Sequence, residues 1–213
     1  AAFADAGRRH SHERNGAEAT EERTLGAAHP SSAAARANVG TALKNLGRYP
    51  EAQASLEAAL AALTSAYGDH HITVAGAYND LGNLHNLLGD HPRALSYCER
   101  ALEVAATVLR PDHPFQGEFL LSQSTVLLDL GRAREAIAPL ERALAILQRA
   151  GWDPGDLADV QLGLARAHWD AGGDRALAVE LARVARATLA AAGARKRKEL
   201  ARADAWLAAH ARR

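Results

Sequence analysis

Leucine and valine recur at helical spacing along most of the chain, in segments separated by glycine. Leu81, Leu84 and Leu88 lie three and four residues apart, and Gly89 follows them directly. A second apolar segment runs from Pro92 to Val104. Spacings of three and four residues place side chains on one face of an α-helix, and glycine readily accepts the left-handed conformation that closes a helix. The pattern therefore predicts two helices joined by a tight turn.

The same helix pair recurs along the chain with a step of 42 residues. One set of glycines, two sets of alanines and one set of histidines keep this step. They are Gly47, Gly89, Gly131 and Gly173; Ala52, Ala94, Ala136 and Ala178; Ala59, Ala101, Ala143 and Ala185; and His29, His71 and His113. A fixed period of this length is typical of stacked helical repeats. In the fourth repeat the first helix is shifted by one residue, and the doubled Gly172-Gly173 compensates for the shift.

Small residues occupy the positions where the two helices of each pair must cross. Gly40 and Gly82 lie in first helices, and the repeated alanines lie in second helices. Larger side chains there would overpack the crossing, at a cost of about 1–3 kcal/mol each. Alanine also has the highest helix propensity. We therefore expect these positions to be buried at close helix crossings.

The aligned segments "NVGTALKNLGRYPEAQASLEAAL", "DLGNLHNLLGDHPRALSYCERAL", "SQSTVLLDLGRAREAIAPLERAL" and "LARAHWDAGGDRALAVELARVAR" resemble the tetratricopeptide repeat family. The small residue at the eighth position of that repeat matches Gly40, Gly82 and Ala165, whereas the third repeat has Ser124. The period of 42 and the joints "GAAHP" and "RPDHP" resemble the kinesin light chain variety. Leu, Ala or His replaces most of the family's large aromatic residues.

The resemblance implies an all-α, right-handed α-solenoid of about four helix pairs with a C-terminal capping helix. It also implies a protein that binds a partner protein or an extended peptide in a concave groove lined by the first helices. We expect residues 1–24 to be a frayed remnant of an upstream repeat, 25–193 to form the array and 194–213 the capping helix. The repeats are expected at 29–67, 71–110, 113–150 and 156–192.

The capping helix carries its apolar residues on one face, including Leu200, Ala203, Trp206, Leu207 and His210. The ending "AVELARVARATLAAAGARKRKELARADAWLAAH" also resembles the C-terminal end of repeat-bearing serine/threonine kinases of myxobacteria, which implies a kinase tail in a bacterial signalling protein. The chain itself contains no Gly-rich loop, "HRD" or "DFG". Two hypotheses therefore stay open, a free-standing adaptor and a regulatory or substrate-recruiting tail of a kinase.

Charge and composition narrow the classes of partner. The chain of 213 residues has 25 basic and 25 acidic residues, so its formal net charge is zero. This balance gives no electrostatic signal for nucleic acid or an anionic membrane, and we expect neither as a partner. The "RKRK" run at 195–198 is expected to be a solvated helix face. The single cysteine excludes an internal disulfide and favours a cytoplasmic location.

The residues that could carry chemistry do not form a recognisable catalytic or metal site. Residues two helices apart lie on the order of 20 Å from each other, so the repeated histidines cannot converge on one metal ion. We expect them to start the following helices. Cys98 falls on a packed helix face and is expected to be a buried, inert thiol. The sequence therefore predicts a protein that is not an enzyme and holds no cofactor.

The first helices carry a polar stripe that the resemblance places in the groove. Asn79, Asn83 and Asn86 are spaced i, i+4 and i+7, which puts them on one helix face. Asparagine can pair with the backbone of an extended peptide because it offers both a donor and an acceptor. Equivalent positions in the other repeats are Thr41, Lys44, Asn45, Glu118, Thr125, Asp129, Arg166 and Asp170. We expect Lys44 and Arg166 to be too isolated to form a carboxylate clamp. A solvated polar face is the competing interpretation of the stripe.

Overall fold

The structure, a computed structural model, describes residues 30–210, and these residues form helices and connecting turns without any strand. The helices are α1 (Pro30–Asn45), α2 (Tyr49–Tyr67), α3 (Ile72–Leu87), α4 (His91–Val108), α5 (Pro114–Asp129), α6 (Ala133–Arg149), α7 (Pro154–Asp170), α8 (Arg175–Ala191), a 3-10 turn (Gly193–Lys196) and α9 (Arg197–His210). The expectations for residues 1–24 and for His29 lie outside the described residues.

The chain divides into two compact units, the first ending at Leu109 and the second starting at Arg110. In the first unit α1 packs on α2, α3 packs on α4, and α2 contacts α3. In the second unit α5 packs on α6, α7 packs on α8, α6 contacts α7, and α9 packs on α8. The prediction of an all-α fold built from helix pairs is therefore confirmed.

A glycine with positive φ closes the first helix of each pair. Gly47, Gly89 and Gly131 have φ values of 75°, 78° and 73°. In the fourth repeat Gly172, at φ 70°, takes this role in place of Gly173, although Gly173 keeps the 42-residue step. The predicted one-residue shift of that helix explains the difference. A side chain with a Cβ atom would be strained at each of these turns.

Two of the repeated histidines start helices, as the sequence predicts. The Nδ1 atoms of His71 and His113 accept hydrogen bonds from the backbone N–H groups of Thr73 and Phe115, at 3.3 and 3.2 Å. Asp90, Asp153 and Asp174 do the same for α4, α7 and α8. Side-chain caps of this kind satisfy amides that a helix leaves unpaired at its first turn.

The helix crossings are as close as the small residues predict. The repeated alanines at both positions are fully buried in all four pairs, namely Ala52, Ala59, Ala94, Ala101, Ala136, Ala143, Ala178 and Ala185. A Cβ atom added to Gly82 would lie 2.8 Å from Cys98 Sγ and 3.2 Å from the Ala94 carbonyl oxygen. A Cβ added to Gly40 would lie 2.7 Å from Leu56 Cγ. The crossing therefore leaves no room for a methyl group.

The apolar pattern extends one residue too far at the end of α3. Leu81 and Leu84 are fully buried, but Leu88 is 44% exposed. The helix ends at Leu87, and the turn at Gly89 carries Leu88 away from the buried face. The expectation that Leu88 belongs to the buried stripe is wrong for this reason.

Glycine-to-alanine substitutions at two positions of α3 should have effects of opposite sign. Gly82→Ala should destabilise the protein by about 1–3 kcal/mol, because its methyl group overlaps Cys98 and the Ala94 carbonyl. Gly76→Ala is the matched control, since a Cβ there meets nothing within 4 Å and alanine favours the helix by roughly 0.5–1 kcal/mol. Urea unfolding measures both changes. Equal effects of the two substitutions would contradict the close-crossing account.

Candidate functional site

The predicted asparagine stripe lies on α3 and differs from residue to residue in its surroundings. Asn79 is half-buried, and its Oδ1 atom is buried without a hydrogen-bond partner among the described residues. Asn83, one turn further on, is also half-buried. Asn86 Oδ1 lies 2.9 Å from His91 Nδ1 at the start of α4. Asn79 therefore holds a buried acceptor with no partner among the described residues, whereas Asn86 takes part in the joint between α3 and α4.

Next to the stripe, α1 and α3 are linked by a buried carboxylate. Asp80 accepts a hydrogen bond from Thr41, and Lys44 Nζ lies 3.9 Å from Asp80 Oδ1. Burial raises the pKa of the Asp80 carboxyl group, while Lys44 and Thr41 oppose this rise. The next repeat therefore supplies a carboxylate partner for Lys44. That Lys44 forms no carboxylate clamp for a ligand stays a prediction. Asn45, the last residue of α1, is exposed.

In the second unit, three predicted residues form one charged network. Arg166 Nη1 donates to Asp129 Oδ1 at 2.8 Å, and its Nε donates to Asp170 Oδ2 at 3.4 Å. Arg166 Nη2 also donates to the Leu128 carbonyl oxygen at 3.0 Å. Arg166 is therefore already paired within the chain, and the expectation that it forms no carboxylate clamp for a ligand stays a prediction. The guanidinium group joins the end of α5 to α7, a contact between repeats that spacing along one helix cannot reveal.

The remaining two predicted residues of the second unit lie outside this network. The Thr125 hydroxyl donates to the Leu121 carbonyl oxygen of its own helix at 3.0 Å. Glu118 is half-buried and precedes Asp129 by about three helical turns, on the order of 16 Å along α5. Neither residue therefore joins the Arg166 network.

Sequence reasoning missed His85, which is 2% exposed on α3. Its ring stacks on Tyr97 at 5.4 Å, Nδ1 lies 3.7 Å from Asp90 Oδ2, and neither ring nitrogen has a hydrogen bond. Burial lowers the pKa of His85 and Arg93 adds to this, while Asp90 and Glu57 oppose it. His85 lies four residues after Leu81 and three after Gly82, which places it on the buried face of α3. That helical spacing was the available signal.

The basic run at 195–198 is only in part the solvated helix face that the sequence predicts. Arg195 and Lys196 lie in the 3-10 turn before α9, and the Lys196 side chain is only 16% exposed. Lys196 Nζ lies 2.6 Å from Asp156 Oδ1 and 3.5 Å from Asp159 Oδ2. Burial raises the pKa of Asp159, while Lys196 and Arg202 oppose the rise. Arg195, Arg197 and Lys198 are exposed, as predicted.

Cys98 occupies the crossing of α3 and α4, as predicted. It is fully buried against Gly82, and burial raises the pKa of its thiol to about 12. A thiol with this pKa stays protonated at neutral pH and is a poor nucleophile.

Residues 30–210 contain neither a group of metal ligands nor a membrane-spanning helix. No group of three or more His, Cys, Asp or Glu side chains is arranged to hold a metal ion there. None of the helices in this part of the chain is both long and apolar enough to cross a membrane.

The sequence model of the tetratricopeptide repeat family matches residues 31–96 and 73–149, which together make up more than half of the chain. This match agrees with the helix pairs and with the small residues at their crossings. The chain belongs to the tetratricopeptide repeat family.

Among curated proteins, the chain is 30% identical over 118 residues to Protein KINESIN LIGHT CHAIN-RELATED 2 of Arabidopsis thaliana. The match covers 55% of this chain and 17% of that protein. The chain thus spans less than a fifth of the length of this relative, and a second Arabidopsis relative, KINESIN LIGHT CHAIN-RELATED 3, gives similar values. These similarities support kinesin light chain-like repeats.

Solved structures with the same fold include a Podosopora anserina putative kinesin light chain with nearly identical TPR-like repeats. It has a TM-score of 0.64 and 23% identity, over 90% of this chain and 95% of that chain. BtubC (BKLC) from P. vanneervenii has a TM-score of 0.73 and 21% identity, over 89% and 75% of the two chains. At these identities the likeness establishes the fold.

His85 should make the stability of the protein depend on pH. The pKa of His85 is lower in the folded than in the unfolded protein. The contribution of neutral His85 to the free energy of unfolding is therefore full above about pH 6.5, the pKa of an unfolded histidine. It is lost as the pH falls from there through the pKa of His85 in the folded protein. His85→Phe keeps a ring against Tyr97 and should flatten this loss, measured by urea unfolding between pH 5 and 8. His70→Phe, at an exposed site, is the control and should keep the wild-type slope. Identical slopes in the wild type and His85→Phe would refute the assignment.

Proposed function

We propose that the chain binds an extended peptide of a partner protein along α1 and α3 of the first unit, and that it does so without catalysing a reaction. Tetratricopeptide repeats generally serve as protein–protein interaction scaffolds. The observation that carries the proposal is the pair Asn79 and Asn83, half-buried one turn apart, with Asn79 Oδ1 lacking a partner. Three further statements stay predictions: the chain acts in the cytoplasm, it binds neither nucleic acid nor membranes, and it needs no cofactor.

An unpaired acceptor on the α3 face favours a ligand that donates hydrogen bonds. A buried polar atom without a partner costs about 1–3 kcal/mol, and a peptide N–H group would remove this cost once the Asn79 side chain rotates to expose its Oδ1 atom. The side-chain amide of Asn83 can in turn donate to a peptide carbonyl oxygen. Because every residue except proline offers the same backbone groups, such pairing tolerates many peptide sequences.

The surroundings of the stripe add polar contacts but little free charge. Lys44 is already paired with Asp80, and Thr41 donates to the same carboxylate. A peptide therefore meets a surface of amides beside a neutralised ion pair. This surface favours recognition of the peptide backbone over recognition of a charged side chain. In the second unit the Arg166 network would have to open before a peptide could bind there.

The proposal is tested by selecting peptides from a random library displayed on phage and then measuring their affinities for the protein. Selected peptides should lose about tenfold or more in affinity for Asn79→Ala/Asn83→Ala, because two hydrogen bonds of about 0.5–1.5 kcal/mol each are removed. Peptides methylated at successive backbone nitrogens should lose binding at several positions, whereas their alanine-substituted counterparts should bind almost normally.

Ser96→Ala/Glu99→Ala is the matched control, since both residues are exposed on α4 of the same helix pair. It should leave the affinity unchanged. If the asparagine variant binds as the wild type does, or if no peptide is selected, the proposed function is wrong.

The regulatory tail of a serine/threonine kinase remains a second proposal about the protein as a whole. It depends on the resemblance of the C-terminal segment and is compatible with the same peptide-binding surface. Reading the coding DNA upstream of Ala1 tests it. An open frame with a Gly-rich loop, "HRD" and "DFG" would support it, and a start codon next to Ala1 would exclude it.

A further inference from the structure

Gly76, in the first half of α3, is a glycine that the fold does not explain. Each other glycine among the described residues either has positive φ or would bring an added Cβ atom within 3.3 Å of a neighbouring atom. A Cβ atom at Gly76 would meet nothing within 4 Å, and its φ is not positive. After proline, glycine is the residue least favourable to a helix interior. Neither backbone geometry nor packing within residues 30–210 therefore accounts for it.

The repeat does not require a small residue at this position either. When Ala165 is aligned with Gly82, the equivalent residues of the other three pairs are Ala34, Glu118 and Asp159. Two of these carry long side chains. The crossing position at Gly82 is small in every pair, the equivalents being Gly40, Ser124 and Ala165. Gly76 is thus particular to the second pair, whereas Gly82 follows from the close crossing.

Gly76 lies on the face of α3 that carries the proposed peptide site. It precedes Asp80 by four residues and Asn83 by seven, and these spacings put the three residues on one helix face. Asp80 points towards α1, because it accepts a hydrogen bond from Thr41. Asn79 follows Gly76 by three residues, and a helical side chain covers the turn N-terminal to its own Cα atom. The Asn79 amide therefore lies beside the open space at Gly76.

The buried acceptor of Asn79 requires a ligand that comes close to the helix. Asn79 Oδ1 is buried and has no hydrogen-bond partner among the described residues. A donor can reach it only when the amide turns outwards and the ligand lies against the surface of α3. A side chain at residue 76 would occupy the space that both movements need, and glycine leaves this space open. Glycine commonly serves where a ligand approaches the backbone closely.

The spacing of the two asparagines fits the main chain of an extended peptide. Four residues of α-helix span about 6 Å, and two residues of an extended chain span roughly 6.6 Å. Asn79 and Asn83 can therefore pair with backbone groups of alternate peptide residues. A chain held in this way along α3 continues over the preceding turn, where Gly76 lies about 4.5 Å before Asn79 along the helix axis.

We propose that Gly76 is a specificity-determining residue of the peptide site, at which the main chain of the bound peptide passes nearest to α3. This role rests on the proposed function, because it concerns the same bound peptide. It defines the ligand further, as an extended segment whose main chain, and not a large side chain, lies over Gly76. The peptide residue that pairs with Asn79 is not proline, because proline has no backbone N–H group.

The first test is an NMR measurement on the full chain bound to one of the peptides selected from the phage library. Nuclear Overhauser effects should connect the α protons of Gly76 to main-chain amide or α protons of the peptide. If the α protons of Gly76 contact only side-chain protons of the peptide, or contact no peptide proton, the proposal is overturned.

The second test is the affinity of the same peptides for Gly76→Ala. This variant should bind them at least about tenfold more weakly, because the added methyl group keeps the peptide from the helix surface. Its fold should become more stable, since the methyl group meets nothing within the protein and alanine favours the helix. A loss of affinity together with a gain in stability is not expected from a merely structural role.

Ser96→Ala is the matched control, because it also raises helix propensity but lies on the exposed surface of α4. It should bind the peptides as the wild type does. Equal affinities of Gly76→Ala and Ser96→Ala for every selected peptide would show that Gly76 plays no part in recognition.

A double-mutant cycle shows whether Gly76 acts together with Asn79. Without the Asn79 acceptor the peptide can lie further from α3, so Gly76→Ala should cost less than about threefold in the Asn79→Ala background. If Gly76→Ala costs the same factor in both backgrounds, the two residues are independent and the close approach to Asn79 is refuted.

Circular dichroism and urea unfolding show whether each variant is folded. If Gly76→Ala is unfolded, the contacts of Gly76 in the wild-type complex decide the question. If Asn79→Ala/Asn83→Ala weakens binding and Gly76→Ala does not, the peptide site stands and the role of Gly76 is wrong. If no peptide is selected, the proposed function and the role of Gly76 are both wrong.

Discussion

The close approach of the two helices in each pair is the constraint on which the rest of the structure depends. At the crossing of α3 and α4 the backbone of Gly82 lies against Cys98 and Ala94, and a single Cβ atom would collide with both. The alanines repeated in all four second helices are fully buried for the same reason. This contact fixes which face of each first helix points into its pair. The opposite faces of α1, α3, α5 and α7 are thereby left to carry polar residues.

Those polar faces are used differently in the two units. In the first, Asp80, Thr41 and Lys44 satisfy one another, and the neighbouring Asn79 keeps an unused acceptor. In the second, Arg166 binds two carboxylates and a carbonyl oxygen. The α7 face is further covered by the C-terminal segment. One fold therefore presents an amide surface in one unit and an ion-paired surface in the other.

The fold could be read from the sequence because its determinants are local and periodic. The 42-residue step of Gly47, Gly89 and Gly131 identifies the turns, and the doubled Gly172-Gly173 reveals even the shift in the fourth repeat. The candidate surface was only partly predictable. Helical spacing places Asn79 and Asn83 on one face, but it cannot reveal partners supplied by another repeat.

The errors concern such contacts between elements distant in sequence. Spacing along one helix does not reveal that Lys44 and Arg166 are each paired with a carboxylate 36 or 37 residues away. Lys196 was expected in solvent, and Asp156 and Asp159 hold it. The net charge of zero does not reveal these ion pairs, because composition gives the number of charged residues and not which of them are in contact.

The most direct test of the central claim is an NMR titration that follows the side-chain amide groups of asparagine while a selected peptide is added. The account predicts that the Asn79 and Asn83 signals shift with the peptide concentration, while the Trp169 indole signal stays in place. Shifts confined to residues of α2 and α4, on the second helices, would contradict a peptide bound along α1 and α3.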